Sequence, residues 1–70
     1  MRGYYVIPLN EDIIEFTGKN ARKRAIKKAK ELILKGDQET FIEQFNDDYD
    51  GGFLSEGEII TPDQIMKENI

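Results

Sequence analysis

The chain has 70 residues, a net charge of −4 and neither cysteine nor histidine. This excludes disulfides and thiolate zinc sites, removes the commonest general base, and implies one domain that buries only about 60% of its unfolded surface. Self-association is the expected source of additional buried area.

Taken in order, GYYVIPL from Gly3 to Leu9 is rich in aromatic and β-branched residues and too short for a helix, so it reads as a strand. Tyr5, Ile7 and Leu9 share one face of it, and Tyr4 and Val6 the other. Pro8 cannot donate to a ladder and belongs near the strand's end. Asn10 and Glu11 suit a two-residue turn, and Asp12 to Phe16 reads as the returning strand of a hairpin, with Ile14 and Phe16 inward.

Residues 19–35, KNARKRAIKKAKELILK, carry the clearest helical signal. Ala21, Ala25, Ala29, Leu32 and Ile33 recur at spacings of three and four, with Ile26 on the flank. The apolar face is narrow and built of small residues, suited to lie close against a sheet. The segment holds eight of the ten cations and a single acid, Glu31, giving a cationic ridge opposite the apolar stripe. A helix is expected over about 18–35, capped by the Thr17 hydroxyl or, if the start slips, by Asn20. It ends at Lys35 and Gly36, with Glu31 and Lys35 as a favourable i,i+4 pair. Leu34 points away from the apolar stripe.

Residues 37–46, DQETFIEQFN, are ambiguous. Phe41, Ile42 and Phe45 fit a helix capped by Asp37, yet 39–45 is also a strand by propensity. The strand is preferred because a hairpin and one helix need a third strand for a stable sheet. Asn46 to Gly52 reads as a loop, and Phe53, Leu54 and 57–60 as a short or irregular strand. Thr61-Pro62-Asp63-Gln64 has the form of a capping box with proline at the first helical position, opening either a short helix that brings Ile65 and Met66 down on the sheet or a partner, or a frayed tail, over 61–70.

Charge is unevenly distributed. Between Gly36 and Met66 there are nine acids and no lysine or arginine. The acids either face the cations across the fold or a dimer interface, which is the preferred reading, or leave the ridge open to phosphates. In the second case Lys23, Arg24, Lys27, Lys28 and Lys30 are the candidate nucleic-acid contacts, and binding should ignore base sequence. Asn46, Asp48, Asp50 and Gly51 reproduce the opening spacing of a calcium loop, so weak calcium binding over 46–58 is a further alternative. Its closing position falls on Gly57, between two glutamates. Without histidine or cysteine a nucleophile would have to be Ser55, a threonine or a lysine, with no identifiable base near Ser55; no enzyme activity and no cofactor are expected.

The succession YYVIPLNEDIIEF, a basic alanine-rich helix ending ELILKGD, and ETFIEQF resembles an uncharacterised family of small prophage proteins of bacilli, the YopT-like family. The resemblance covers most of the chain and lies in length and layout. It implies one helix with three strands and a homodimer, and it carries no activity or functional residue.

The expected architecture is α+β, in a single domain over 1–70: an N-terminal β-hairpin, one amphipathic basic helix over about 18–35, a third strand over about 39–45, and the helix packed on one face of a small antiparallel sheet. The opposite face, with Tyr4, Val6 and Ile13 as candidate dimer contacts, should be covered by a second copy in a closed two-fold dimer. The expected function is that of a non-enzymatic prophage-type accessory protein acting through protein–protein contacts, with an unidentified host or phage protein as a further partner. The N-terminus MRGYYVIPLN lacks the apolar run of a signal peptide, and no stretch approaches the ~18 apolar residues of a membrane span, so a cytoplasmic location without membrane contact is expected.

Overall fold

The computed structural model describes residues 2–46 and 57–68. Its elements are β1 (Arg2–Ile7), β2 (Ile14–Thr17), α1 (Ala21–Leu34), β3 (Phe41–Asn46), β4 (Ile59–Ile60) and α2 (Pro62–Lys67). The strands form one antiparallel sheet in the order β2-β1-β3-β4. The expected α+β architecture is therefore present, and within the short strand and short helix read at 57–60 and 61–70 the chain forms β4 and α2. Residues 37–46 are not helical: the chain turns at 37–40 and enters β3.

Because α1 joins edge strand β2 to β3, it must pass over β1, and it does so on one face of the sheet. There Ala25, Ile26, Ala29 and Leu32 meet Val6, Ile42 and Ile60, and Ile65 of α2 completes the cluster. The alanines let the helix approach closely, while the longer side chains of Ile26 and Leu32 fill the space between the layers. Each of the large residues in this cluster is essentially inaccessible to solvent, which corresponds to about 1.5–3 kcal/mol of burial per aliphatic side chain. Tyr4, Ile14, Phe16 and Ile33 pack around it.

The pairing register fixes which side chains share a face. One row across all four strands is Ile14, Val6, Ile42 and Ile60, and it faces the helices. The adjacent row is Glu15, Tyr5, Glu43 and Ile59, and it faces away from them. The expected faces of β1 are thus reversed. Val6 is fully buried under α1 and Tyr4 packs beside the core, so neither is available as a dimer contact on the outer face. Ile13 is 59% exposed but lies in the connection before β2, off the sheet. Alternation is the cause: Val6 pairs with Ile14 and Ile42, and every residue opposite it shares its side.

The hairpin connection is longer than a two-residue turn, because the last β1–β2 pair is Val6 with Ile14. Leu9 lies beyond the strand and is 65% exposed. Thr17 does not cap α1; it is the last residue of β2. Asn20 occupies the N-cap position in the left-handed conformation and makes no side-chain cap bond. The strand-to-helix turn is held by Gly18 at φ 83° and by the Arg24 guanidinium, which donates to the carbonyls of Thr17 and Lys19 and lies over the Phe16 ring. The capping box of α2 is formed in both directions, Gln64 N–H to Thr61 Oγ1 and Thr61 N–H to Gln64 Oε1, each at 3.3 Å. Ile65 turns inward as expected; Met66 is 42% exposed.

Candidate functional site

The outer face of the sheet carries Tyr5 and Ile7 from β1, Phe41 and Phe45 from β3, and Ile59 from β4. Nothing among the described residues covers it. The four residues from β1 and β3 are half-buried, and Ile59 is 54% exposed. Tyr5 and Phe45 stack with ring centroids 4.3 Å apart and planes 20° apart, an arrangement worth about 0.5–1.5 kcal/mol beyond area burial. Gly3 makes that stack possible: a Cβ there would come within 2.6 Å of the Phe45 ring, so only glycine lets the ring lie across β1.

At one end of this face an open depression of about 390 Å³ is lined by Ile7, Pro8, Leu9, Phe41 and Glu39. Its wall depends on Asp37, whose carboxylate accepts hydrogen bonds from the backbone N–H groups of Leu9 and Asn10, both at 3.0 Å. Those two bonds, Asn10 foremost, hold the Asp37 carboxyl below its ordinary range. Its main-chain carbonyl accepts from the Thr40 hydroxyl at 2.8 Å and thereby shapes the turn into β3. Sequence reasoning placed Asp37 only as the cap of a helix that does not form. The available signal was an acid immediately after the helix-ending Gly36, where it can reach a neighbouring loop.

The cationic ridge lies on the far side of α1 from the sheet and so opposite the aromatic face. Lys23, Arg24 and Lys27 gather with Lys19 and Asn20 around an open depression of about 440 Å³. Lys28 and Lys30 are directed elsewhere. Lys28 joins Lys35 on Glu31, at 3.4 and 3.3 Å, and these cations, Lys35 first, lower the Glu31 carboxyl from its usual range. Lys30 donates to the main-chain carbonyl of Glu68 at 2.6 Å. Arg22, which the sequence did not single out, makes a two-pronged bond to Glu58, both arms at 3.1 Å, and a third contact to Glu68 at 3.3 Å. The Glu58 bond is the main cause of its raised pKa. The acidic half of the chain therefore does meet the helix, but at Arg22; Lys23 and Lys27 have no acidic partner among the described residues.

The calcium reading of 46–58 falls mostly outside the described residues, as does Ser55. Among the described residues no group of three or more acids is placed to hold a metal ion, and no helix is long and apolar enough to cross a membrane. Comparison of the chain with protein-family models, curated proteins and solved structures finds no match.

Proposed function

We propose that this chain is a non-enzymatic, cytoplasmic accessory protein that works through protein–protein contacts made by the outer face of its sheet. The observation that carries this reading is the gathering of Tyr5, Ile7, Phe41, Phe45 and Ile59 around Glu43 on one face, built with a stacked aromatic pair and, among the described residues, left without a helix over it. A surface of this kind on a small domain marks an interaction site more often than a solvated face. The prophage-type role rests on the resemblance in layout to the YopT-like family. The covering partner is a second copy, as in the homodimer that resemblance implies, or a different protein.

A photo-crosslinking residue in place of Phe41 tests the surface directly. A discrete adduct, with itself or with one other protein, is expected there. It should be lost when Phe45→Asp is added and absent when the crosslinker replaces Lys27. An adduct at Lys27 alone, or none at either position, rejects the outer face as the contact surface.

A second reading is sequence-independent phosphate binding, favoured by the convergence of Lys19, Lys23, Arg24 and Lys27 on one depression. Such binding to DNA or RNA oligonucleotides must weaken steeply between about 50 and 200 mM salt. Fluorescence anisotropy that shows no such loss, or no binding, removes it.

A further inference from the structure

We propose that the occupant of the outer sheet face is a basic, apolar segment of another protein, one that presents bulky apolar and cationic side chains in turn to the sheet. This rests on the outer face being the contact surface, and the argument turns on Glu43.

Glu43 does not sit at the margin. Its strand is an inner one, its neighbours across the sheet are Tyr5 and Ile59, and Phe41 and Phe45 lie two residues to either side. Glu15 flanks Tyr5 on the other side, in the same row. By register the outer positions of the four strands are Gly3, Tyr5, Ile7, Glu15, Thr17, Phe41, Glu43, Phe45 and Ile59, with no lysine or arginine among them. Neither Glu15 nor Glu43 has a cationic partner among the described residues.

Any body that seals the aromatic surface therefore also seals Glu43. Burying a carboxylate without a counter-charge is strongly unfavourable, and one matched cation with hydrogen bonds removes most of that cost. A second copy lying face to face, at the ~10 Å spacing of packed sheets, would bring its own Glu15 and Glu43 into the same layer and supply no cation. Nucleic acid and anionic membranes bring more negative charge and are repelled. A lysine or arginine reaching Glu43 from a partner satisfies it, and the partner's apolar side chains then meet Phe41 and Phe45.

The spacing defines the partner further. Phe41, Glu43 and Phe45 repeat at about 7 Å, the two-residue step of an extended chain. An extended segment with apolar, cationic and apolar side chains at alternate positions matches that step. The depression of Ile7, Pro8, Leu9 and Phe41 receives one bulky apolar side chain, and Glu39 on its rim offers a second place for a cation. Apolar anchors provide affinity, and the carboxylates select the partner by charge.

Two synthetic peptides test this on the isotope-labelled full chain. Both carry phenylalanine at every second sheet-facing position and threonine on the other side; the remaining sheet-facing positions are lysine in one and glutamate in the other. The lysine peptide is expected to shift the NMR signals of Tyr5, Phe41, Glu43 and Phe45 and to bind at least about tenfold more tightly than its counterpart. In an E15Q/E43Q variant, shown to be folded by circular dichroism, the two affinities should converge. Equal or tighter binding of the glutamate peptide at these residues overturns the basic partner while leaving the contact face in place. Shifts confined to α1 overturn both. Silence with both peptides overturns the basic partner, and the Phe41 crosslink then decides separately whether the face is used. A dimer by sedimentation at ~100 μM, a concentration at which weak dimers form, makes a second copy the occupant and overturns the inference.

Discussion

Two neighbouring rows of the same sheet, one residue out of step, have opposite fates. Ile14, Val6, Ile42 and Ile60 lie under two helices, and all but Ile14, which is half-buried, are sealed from solvent. Glu15, Tyr5, Glu43 and Ile59 lie on the side that no helix among the described residues covers. The inner row is four apolar residues; the outer row is two, alternating with two carboxylates. The core row is purely aliphatic and excludes water without further help. The outer row is sticky and charged together, a combination that suits a selective contact better than a permanent core.

Substitutions on the two sides should separate them. Ile42→Ala should have the largest effect, about 2–5 kcal/mol of stability from lost burial and the cavity left beneath α1, which in a domain this small reads as loss of the cooperative thermal transition. If Ile42→Ala melts like the wild type, the inner face is not the core. Gly3→Ala ranks second, at about 1–3 kcal/mol, because the new methyl must displace both the Phe45 ring and the Phe16 carbonyl. Its distinguishing sign is loss of the near-ultraviolet signal of the Tyr5–Phe45 stack with retained helix content; an unchanged signal would show that the ring does not need the glycine.

Asp37→Asn should act on pH dependence. Because the folded-state carboxyl titrates below its unfolded value, its contribution is fully present above the unfolded pKa of about 3.9 and is lost as pH falls through the lower folded value. The variant should melt lower than wild type at neutral pH, and the gap should close on acidification. A gap that stays constant down to strong acid would mean that the Leu9 and Asn10 bonds do not depend on the charge. Lys27→Ala, on the exposed ridge, is the smallest: thermal denaturation should stay within about 0.5 kcal/mol of wild type. A larger change would reveal a partner for Lys27 inside the fold.

The helix was legible because its period is long and its alanine stripe unbroken, and β3 because Phe41, Ile42 and Phe45 had to supply a third strand. The hairpin was legible as a pair, and Ile14 and Phe16 of β2 turn inward as expected, but the faces of β1 were not legible. Tyr4, Tyr5, Val6 and Ile7 are large at every position, so the two-residue alternation that distinguishes inside from outside is absent from β1. Only the pairing of Val6 with Ile14 and Ile42 decides it, and that is a property of register. The surface role of Glu43 follows from the same register and was invisible for the same reason. Arg24 illustrates a different limit: its charge placed it on the ridge, but its bonds to the Thr17 and Lys19 carbonyls arise from a turn geometry that composition does not encode.

The Arg22 fork has a consequence for the order in which the molecule comes apart. It fastens the segment holding β4 and α2 to the first turn of α1. Burying Ile60 and Ile65 contributes a few kcal/mol to holding it. The exposed ion pairs add little to this balance. The C-terminal segment consists of a two-residue strand at the sheet's edge and a six-residue helix, so its amides should exchange with solvent ahead of those in β1 and β3.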